Sequence, residues 1–389
     1  MFAVPGIDPP AAAGRLLERR NRFVVEVSVA GRATTASLPN PGKLGELFVH
    51  NAELGLAPGP EGGKHPYRVV SVRSGSETIF LDTGKTNAVA AELLKRKLVP
   101  ILAQYELERM EVPLPERAGA APSGRGGPKS RIDMRLTGPA GPLYVEVKSC
   151  TLFNGRFAMF PDAVTERGRR HLLELAERRD TGVLFVVHSD RPDWFFPDIH
   201  NDLAFARAFR EAARTLPIIP VGVRWSPALR IERVRDDIEI PWELLDTHLK
   251  DRGSYLVLLR LPRREELTVG RLGLRRFEAG FYLYVGSAQQ GLSKRIERHR
   301  RRSRKRMHWH IDYLRERAEW ISAYPVRGRE HREAEIGRQF RSLADGAVEG
   351  FGSSDSPLPS HLFYFAEEPR RRKDFQEQLL QARNPEYSR

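Results

Sequence analysis

The chain has 389 residues, enough for two or three domains that each bury a core. Its 64 Lys and Arg against 50 Asp and Glu leave a net charge of +14, which points to a polyanionic partner, nucleic acid before an anionic membrane surface. Cys150 is the sole cysteine, excluding an intrachain disulfide and any multi-thiolate zinc site. No apolar run is long enough to span a bilayer, and the N-terminal stretch lacks a basic segment followed by an apolar core, so a cytoplasmic protein with no membrane partner is expected.

Residues 22–83 carry short apolar runs separated by turn residues. Alternation in FVVEVSVAGRATTASL around Ala30-Gly31 predicts one hairpin, and YRVVSVRSGSETIFLDTG, turning at Ser74-Gly75, a second. Strands at this spacing suggest a small barrel such as an OB-fold over residues 1–85, a platform for single strands. Within it LPNPGKLGELF places two prolines and two glycines about Lys43, so it is a shaped loop. A tight turn and a phosphate-contacting loop led by Lys43 are both open readings. Residues 87–98 predict a helix with Val89, Leu93, Leu94 and Leu98 apolar. Residues 113–128 turn to Ala, Gly, Pro and Arg and read as a flexible loop or insertion.

Residues 130–149, SRIDMRLTGPAGPLYVEVKS, read as two strands joined by a Gly/Pro turn. Alternation puts Glu146 and Lys148 on one face, Val145 and Val147 on the other. A symmetric hairpin turning between Pro139 and Ala140 sets Asp133 opposite Glu146, about 5 Å apart at Cβ. Like charges there repel unless a cation lies between them, and oxygen ligands of this kind suit Mg²⁺ or Mn²⁺. On spacing alone, a surface hairpin with alternating charges accounts for the same residues.

FPDAVTERGRRHLLELAERR predicts a helix opening near Asp162, with Asp162 as its cap and Val164, Leu172 and Leu175 towards the core. Capping explains Asp162 fully, and it receives no catalytic role. Arg167 and His171, at i and i+4, could meet a nucleic-acid backbone. For His171 a hydrogen-bonded structural histidine is the competing reading. GVLFVVHS and IIPVGVRWS read as buried strands, completing an α/β core over residues 86–230. Acidic Asp236, Asp237 and Glu239 mark a junction over 231–252. A new domain, 253–368, opens with GSYLVLLRLP and GFYLYVGSA as strands, then the basic helix GLSKRIERHRRRSRKR with Leu292 and Ile296 inward. The basic tail 369–389 is expected to fray.

Through LPNPGKLGELF, LDTGKTN, SRID, YVEVKS and FPDAVTERGRRHLLEL, residues 15–225 resemble the sugar fermentation stimulation protein family. The resemblance implies an N-terminal OB-fold followed by a PD-(D/E)XK nuclease-like domain. In it Asp133 and Glu146 correspond to the metal-binding acids and Lys148 to the motif's lysine. Glu111 matches a further acidic position preceding SRID, and the 113–128 insertion departs from the usual short connection.

Residues 253–368 look like the GIY-YIG nuclease superfamily, in a subgroup of uncertain activity, through GSY, YVGSA, Arg295, His299, HWHIDYL, FGSSD and SHL. That likeness implies a site formed by Tyr255, Tyr284, Arg295 and a glutamate metal ligand. Ile336, Phe340 and Leu343 mark the buried stripe of HREAEIGRQF; Glu333 lies three residues before Ile336 and Glu335 points away, so Glu333 is chosen. Arg295, His299 and Arg302, at i, i+4 and i+7, would offer one helix face to a phosphate. Where the subgroup usually has cysteines this chain has Ala334, Ser356 and Leu358. A thiolate-dependent metal site is therefore absent, and a domain that binds without cutting stays open.

The expected fold class is a multidomain α/β and β protein. The expected function is a Mg²⁺- or Mn²⁺-dependent nuclease acting on DNA, with RNA as the other substrate. The alternative is a non-catalytic DNA-binding regulatory protein whose nuclease folds serve as platforms.

Overall fold

The computed structural model describes residues 1–115, 131–302, 306–328, 332–353 and 356–384. Most of the expected insertion, part of the basic run after the helix, Ser354 and Asp355 of FGSSD, and the last five residues lie outside them. The chain divides into two compact units, residues 1–198 with 204–242, and residues 199–203 with 243–389.

The first unit opens with a five-stranded barrel. Its strands are β1 (Ala12–Asn21), β2 (Val24–Val29), β3 (Arg32–Ser37), β4 (Glu53–Pro58) and β5 (Tyr67–Ser74). They are ordered β3-β2-β1-β4-β5, and a parallel β3–β5 pairing closes the ring. Ala30 and Gly31, between β2 and β3, both have positive φ, as a two-residue hairpin turn of this hand requires. Leu16, Val25, Val27, Leu54 and Val69 fill the interior. β1 precedes the region of visible alternation, and two register shifts interrupt its pairing with β2.

β6 (Glu77–Phe80) carries the sheet out of the barrel. There follow α1 (Thr86–Lys95), β7 (Glu106–Pro113), β8 (Arg131–Gly138), β9 (Gly141–Cys150), β10 (Leu152–Asn154) and β11 (Phe157–Phe160). Then come α2 (Glu166–Ala176), β12 (Thr181–Val187), β13 (Trp194–Pro197), α3 (Leu203–Ala212), β14 (Ile218–Trp225) and β15 (Ile231–Arg235). The second layer is ordered β6-β14-β12-β9-β8-β7. β12 lies parallel to both β9 and β14, and every one of its residues is buried, which explains its unbroken apolar run. Val89, Leu93 and Leu94 of α1 pack on Val145, Val147, Leu184 and Val186, covering one face. The opposite face of β9 is thereby left for Glu146 and Lys148. β15 pairs with β14, so residues 231–235 belong to this sheet, and α4 (Trp242–His248) lies within the rest of the expected junction.

The second unit contains β16 (Gly253–Leu261), β17 (Glu265–Thr268), β18 (Leu274–Phe277), β19 (Gly280–Ala288), α5 (Leu292–Arg300) and α6 (His310–Arg317). It continues with β20 (Glu319–Arg327), α7 (Glu333–Arg341), β21 (Gly346–Ala347), β22 (Leu362–Phe365) and α8 (Lys373–Arg383). Its sheet is ordered β20-β16-β19-β22-β21. Tyr255, Val257 and Leu259 face Leu292, Ile311 and Leu314 from α5 and α6. Leu256 and Leu258 face Ile336 and Phe340 of α7 together with Phe375 and Leu379 of α8. The expectation of a frayed tail is corrected here: Phe375, Leu379 and Ala382 recur at helical spacing and are buried, anchoring α8.

Candidate active site

The β8–β9 ladder runs from Gly138↔Gly141 to Met134↔Val145, so the turn falls at Pro139-Ala140 and Asp133 and Glu146 come next in register. Both carboxylates lie on the sheet face opposite Met134, Val145 and the α1 core. Asp133 accepts two hydrogen bonds: Val147 N–H at 2.8 Å on Oδ2 and the Asn87 amide at 2.9 Å on Oδ1. Burial, and then the charge of Glu146, hold the Asp133 carboxyl above its ordinary range. Burial alone would raise Glu146 as well. Hydrogen bonding from His171 and the charge of Lys148 outweigh that, and Glu146 sits below the usual range. The pair is therefore asymmetric, with Glu146 the firmer anion.

Lys148 donates to Glu146 Oε1, and His171 Nδ1 lies 3.2 Å from the same oxygen. His171 reaches the acid because α2 packs over this face. Glu146, Lys148, His171, Leu172, Phe185 and Phe205 line a small cavity between strand and helix. Nε2 of His171 is buried and has no hydrogen-bond partner among the described residues. Arg167, one turn earlier, is exposed. Glu111 stays outside the cluster. Its side chain is exposed and lies 3.7 Å from Arg131.

Asn87 was not singled out by sequence, although it ends the LDTGKTN motif; its partner lies 46 residues away, where no local pattern can report it. The cap of α2 also differs from expectation. Thr165, whose Oγ1 accepts from Gly168 N–H at 3.1 Å, starts the helix, and Val164 is 67% exposed. Asp162 instead accepts Leu44 N–H at 2.7 Å, from the barrel loop that carries Lys43. Lys43 itself is exposed.

In the second unit Tyr255, Tyr284, Arg295 and Glu333 gather around one end of the sheet. Tyr255 and Tyr284 rings are 6.3 Å apart, and Arg295 lies over the Trp309 ring at 4.7 Å. Burial pushes the Tyr255 hydroxyl well up, with Tyr284 and Glu333 adding and Arg295 opposing. Glu333 faces His361, whose Nδ1 is 3.1 Å from its Oε1, whereas Glu335 is taken by Arg332 at 2.7 Å.

The expected phosphate-facing stripe on the basic helix is corrected. His299 is fully buried, hydrogen-bonded to the Tyr255 hydroxyl at 2.9 Å and 3.6 Å from the buried Asp312. α5 stops at Arg300, so Arg302 leaves the helical face and donates to the Glu316 carbonyl.

A closed barrel leading into an α/β layer with a central hairpin defines a nuclease-like fold preceded by an OB domain. A profile described as the SfsA N-terminal OB domain matches residues 17–81, and one described as the sugar fermentation stimulation protein RE domain matches residues 84–228. A domain of unknown function, DUF123, matches residues 254–384, the GIY-YIG-like unit. A sugar fermentation stimulation protein homolog of Caldanaerobacter subterraneus subsp. tengcongensis is 33% identical over 211 residues, 53% of this chain and 86% of the relative. A homolog from Moorella thermoacetica is 37% identical over 204 residues, 51% of this chain and 82% of the relative. The chain belongs to the sugar fermentation stimulation protein family. A solved structure of Pyrococcus furiosus SfsA in complex with Ca²⁺ superposes with a TM-score of 0.52 at 24% identity, covering 62% of this chain and 99% of that one.

Proposed function

We propose that the protein is a divalent-metal-dependent nuclease that hydrolyses phosphodiester bonds of DNA, with RNA as the other candidate substrate. The observation that carries this reading is the placement of Asp133 and Glu146 side by side on one sheet face with Lys148 against them, in a chain of net charge +14. The donor set fits a hard cation: two partly desolvated carboxylates, one with its pKa raised by burial and then by the other's charge, would be relieved by Mg²⁺ or Mn²⁺. The Pyrococcus furiosus protein was solved in complex with Ca²⁺, a cation that takes oxygen ligands, and this supports the same donor chemistry here.

Asp133 and Glu146 would hold the ion. When bound, it supplies neutralisation of the phosphate and acidification of an attacking water. The chain's own residues do the rest. Val147 N–H and Asn87 orient Asp133, and His171 orients Glu146. Lys148, between anions, would stabilise the growing charge on the phosphoryl oxygens, an electrostatic role before a basic one. Exposed Arg167 would meet the neighbouring backbone.

The second reading is a DNA-binding protein without catalysis. The observation that favours it is that Glu146 already has two partners, Lys148 and His171. In the second unit, Tyr255, Tyr284, Arg295 and Glu333 would serve as a further phosphodiester site, with Glu333 holding a metal, or as a binding platform. Arg302, off the helical face but exposed, would meet the nucleic-acid backbone only from the segment after α5; His299 supports the site from beneath. Incubating the protein with duplex DNA, single-stranded DNA and RNA, with Mg²⁺ or with chelator, separates these readings. Metal-dependent cleavage of any of them supports the nuclease, and chelator-insensitive binding of DNA without products supports the platform.

A further inference from the structure

The barrel loop at residues 40–44 is pinned from both sides. Arg19 on β1 donates to the carbonyls of Gly42, at 2.7 Å, and Lys43, and ties them to those of Asn21 and Arg22 at the end of its own strand. From the other side, Asp162 Oδ2 accepts the Leu44 N–H at 2.7 Å across 118 residues of sequence. The loop's covalent structure is cut to fit this acid. A Cβ at Gly42 would lie 2.7 Å from Asp162 Oδ2, and Leu44 takes a left-handed φ of 52° that presents its N–H to the carboxylate. The loop backbone is held, and the exposed Lys43 side chain places its charge within reach of the same carboxylate.

The place matters too. Cys150 follows Glu146 and Lys148 on the same face of β9, and its Sγ donates to the Met159 carbonyl at 3.2 Å, three residues before Asp162. Four residues of strand span about 13 Å. A polynucleotide with its scissile phosphate at Glu146 would therefore pass the loop within a few nucleotides.

Resting on the nuclease reading above, we infer that Asp162 is a positioning residue that docks the barrel loop beside the hairpin so that Lys43 contacts a substrate phosphate flanking the scissile one. Thr165 caps α2, so helix capping does not account for Asp162, and its bond to Leu44 does.

The sign of one measurement separates positioning from plain electrostatics. Removing a carboxylate near a phosphate should tighten binding if charge alone counts. Removing the carboxylate that holds Lys43 in place should weaken it. Binding of a fluorescent DNA oligonucleotide is measured against salt in the Glu146→Ala background, which prevents cleavage. Lys43→Ala is expected to lower the slope of log K against log [salt] by about 0.7–0.9, one phosphate contact. Asp162→Ala is expected to lower it equally, to weaken binding, and to add nothing when combined with Lys43→Ala. Gly42→Ala, which leaves every charge in place, should reproduce the loss, and Asp162→Asn, whose amide oxygen still accepts from Leu44, should restore most of it. Tighter binding by Asp162→Ala, or an unchanged slope in Gly42→Ala and Lys43→Ala, overturns the inference. Should the unmodified chain bind no nucleic acid at all, the nuclease reading fails; if it binds and these variants match it, only the role of Asp162 fails.

Discussion

His171 Nδ1 lies 3.2 Å from Glu146 Oε1, joining α2 to the acid in the middle of β9. Groups that orient a ligating carboxylate commonly account for 10–100-fold in metal affinity or activity. His171→Ala is accordingly expected to lower cleavage by about that factor while oligonucleotide affinity stays within about twofold. Equal loss of binding and cleavage would mean that the histidine contacts the substrate and does not orient the acid.

Asn87 holds the other carboxylate. Without its amide, Asp133 keeps only the Val147 N–H, and its already raised pKa should climb further because one of the bonds to its ionised form is gone. Titration with Mn²⁺, followed calorimetrically, should show Asn87→Ala binding about 10-fold or more weakly. An unchanged isotherm would place the ion elsewhere.

The hairpin was legible because its turn and its alternation agree: Pro139-Ala140 sets the register, and the period of two then assigns every face. Ala30-Gly31 and the apolar run of β12 were legible for the same local reasons. Asp162 was not. An acid four residues before a helix looks like a cap, and only the fold reveals that Thr165 caps while Asp162 meets Leu44 across 118 residues. His299 misled in the opposite way. Its basic neighbours suggested an exposed face, but the helix is turned so that Leu292 and His299 are its buried positions. α8 was hidden by composition: RRRK drew attention from Phe375, Leu379 and Ala382, whose spacing carries the helix.

Buried His188 is expected to make the first unit less stable in acid. Trp225 Nε1–H donates to its Nδ1 at 3.1 Å and Ser149 Oγ lies 3.1 Å from its Nε2, so the neutral ring is fully used, and burial pushes its pKa down to about 3. Unfolded chain takes up a proton below about 6.5 and the native state does not, so this contribution is complete above 6.5 and is lost as pH falls towards 3. The slope is about 1.4 kcal/mol per pH unit, or roughly 2 kcal/mol between pH 6.5 and 5. Denaturant unfolding followed by tryptophan fluorescence should show a correspondingly smaller pH-dependent loss in His188→Gln.

Cys150 is buried, and that burial drives its thiol up to about 12. Native protein at pH 8 should react with a thiol-specific disulfide reagent far more slowly than unfolded protein, since thiolate is the attacking form. Release of one equivalent at the unfolded rate would show that the end of β9 opens readily.

In the second unit Asp312 is fully buried and accepts from Arg298 at 3.0 Å and from His308 and Trp309 N–H at 3.1 Å each. Arg298→Ala removes its main countercharge and should destabilise this unit by about 3 kcal/mol or more. Arg302→Ala, on an exposed residue, should leave the melting curve within about 0.5 kcal/mol and reduce only the salt dependence of DNA binding. The reverse pattern would show that the basic run, not the buried pair, organises α5.

The most direct test of the nuclease reading sets Glu146→Ala beside the unmodified chain on one duplex DNA in Mg²⁺, with binding and cleavage measured in parallel. Cleavage lost, with affinity equal or tighter because a negative charge has gone, is the expected result. Cutting by the variant at the original rate would contradict it.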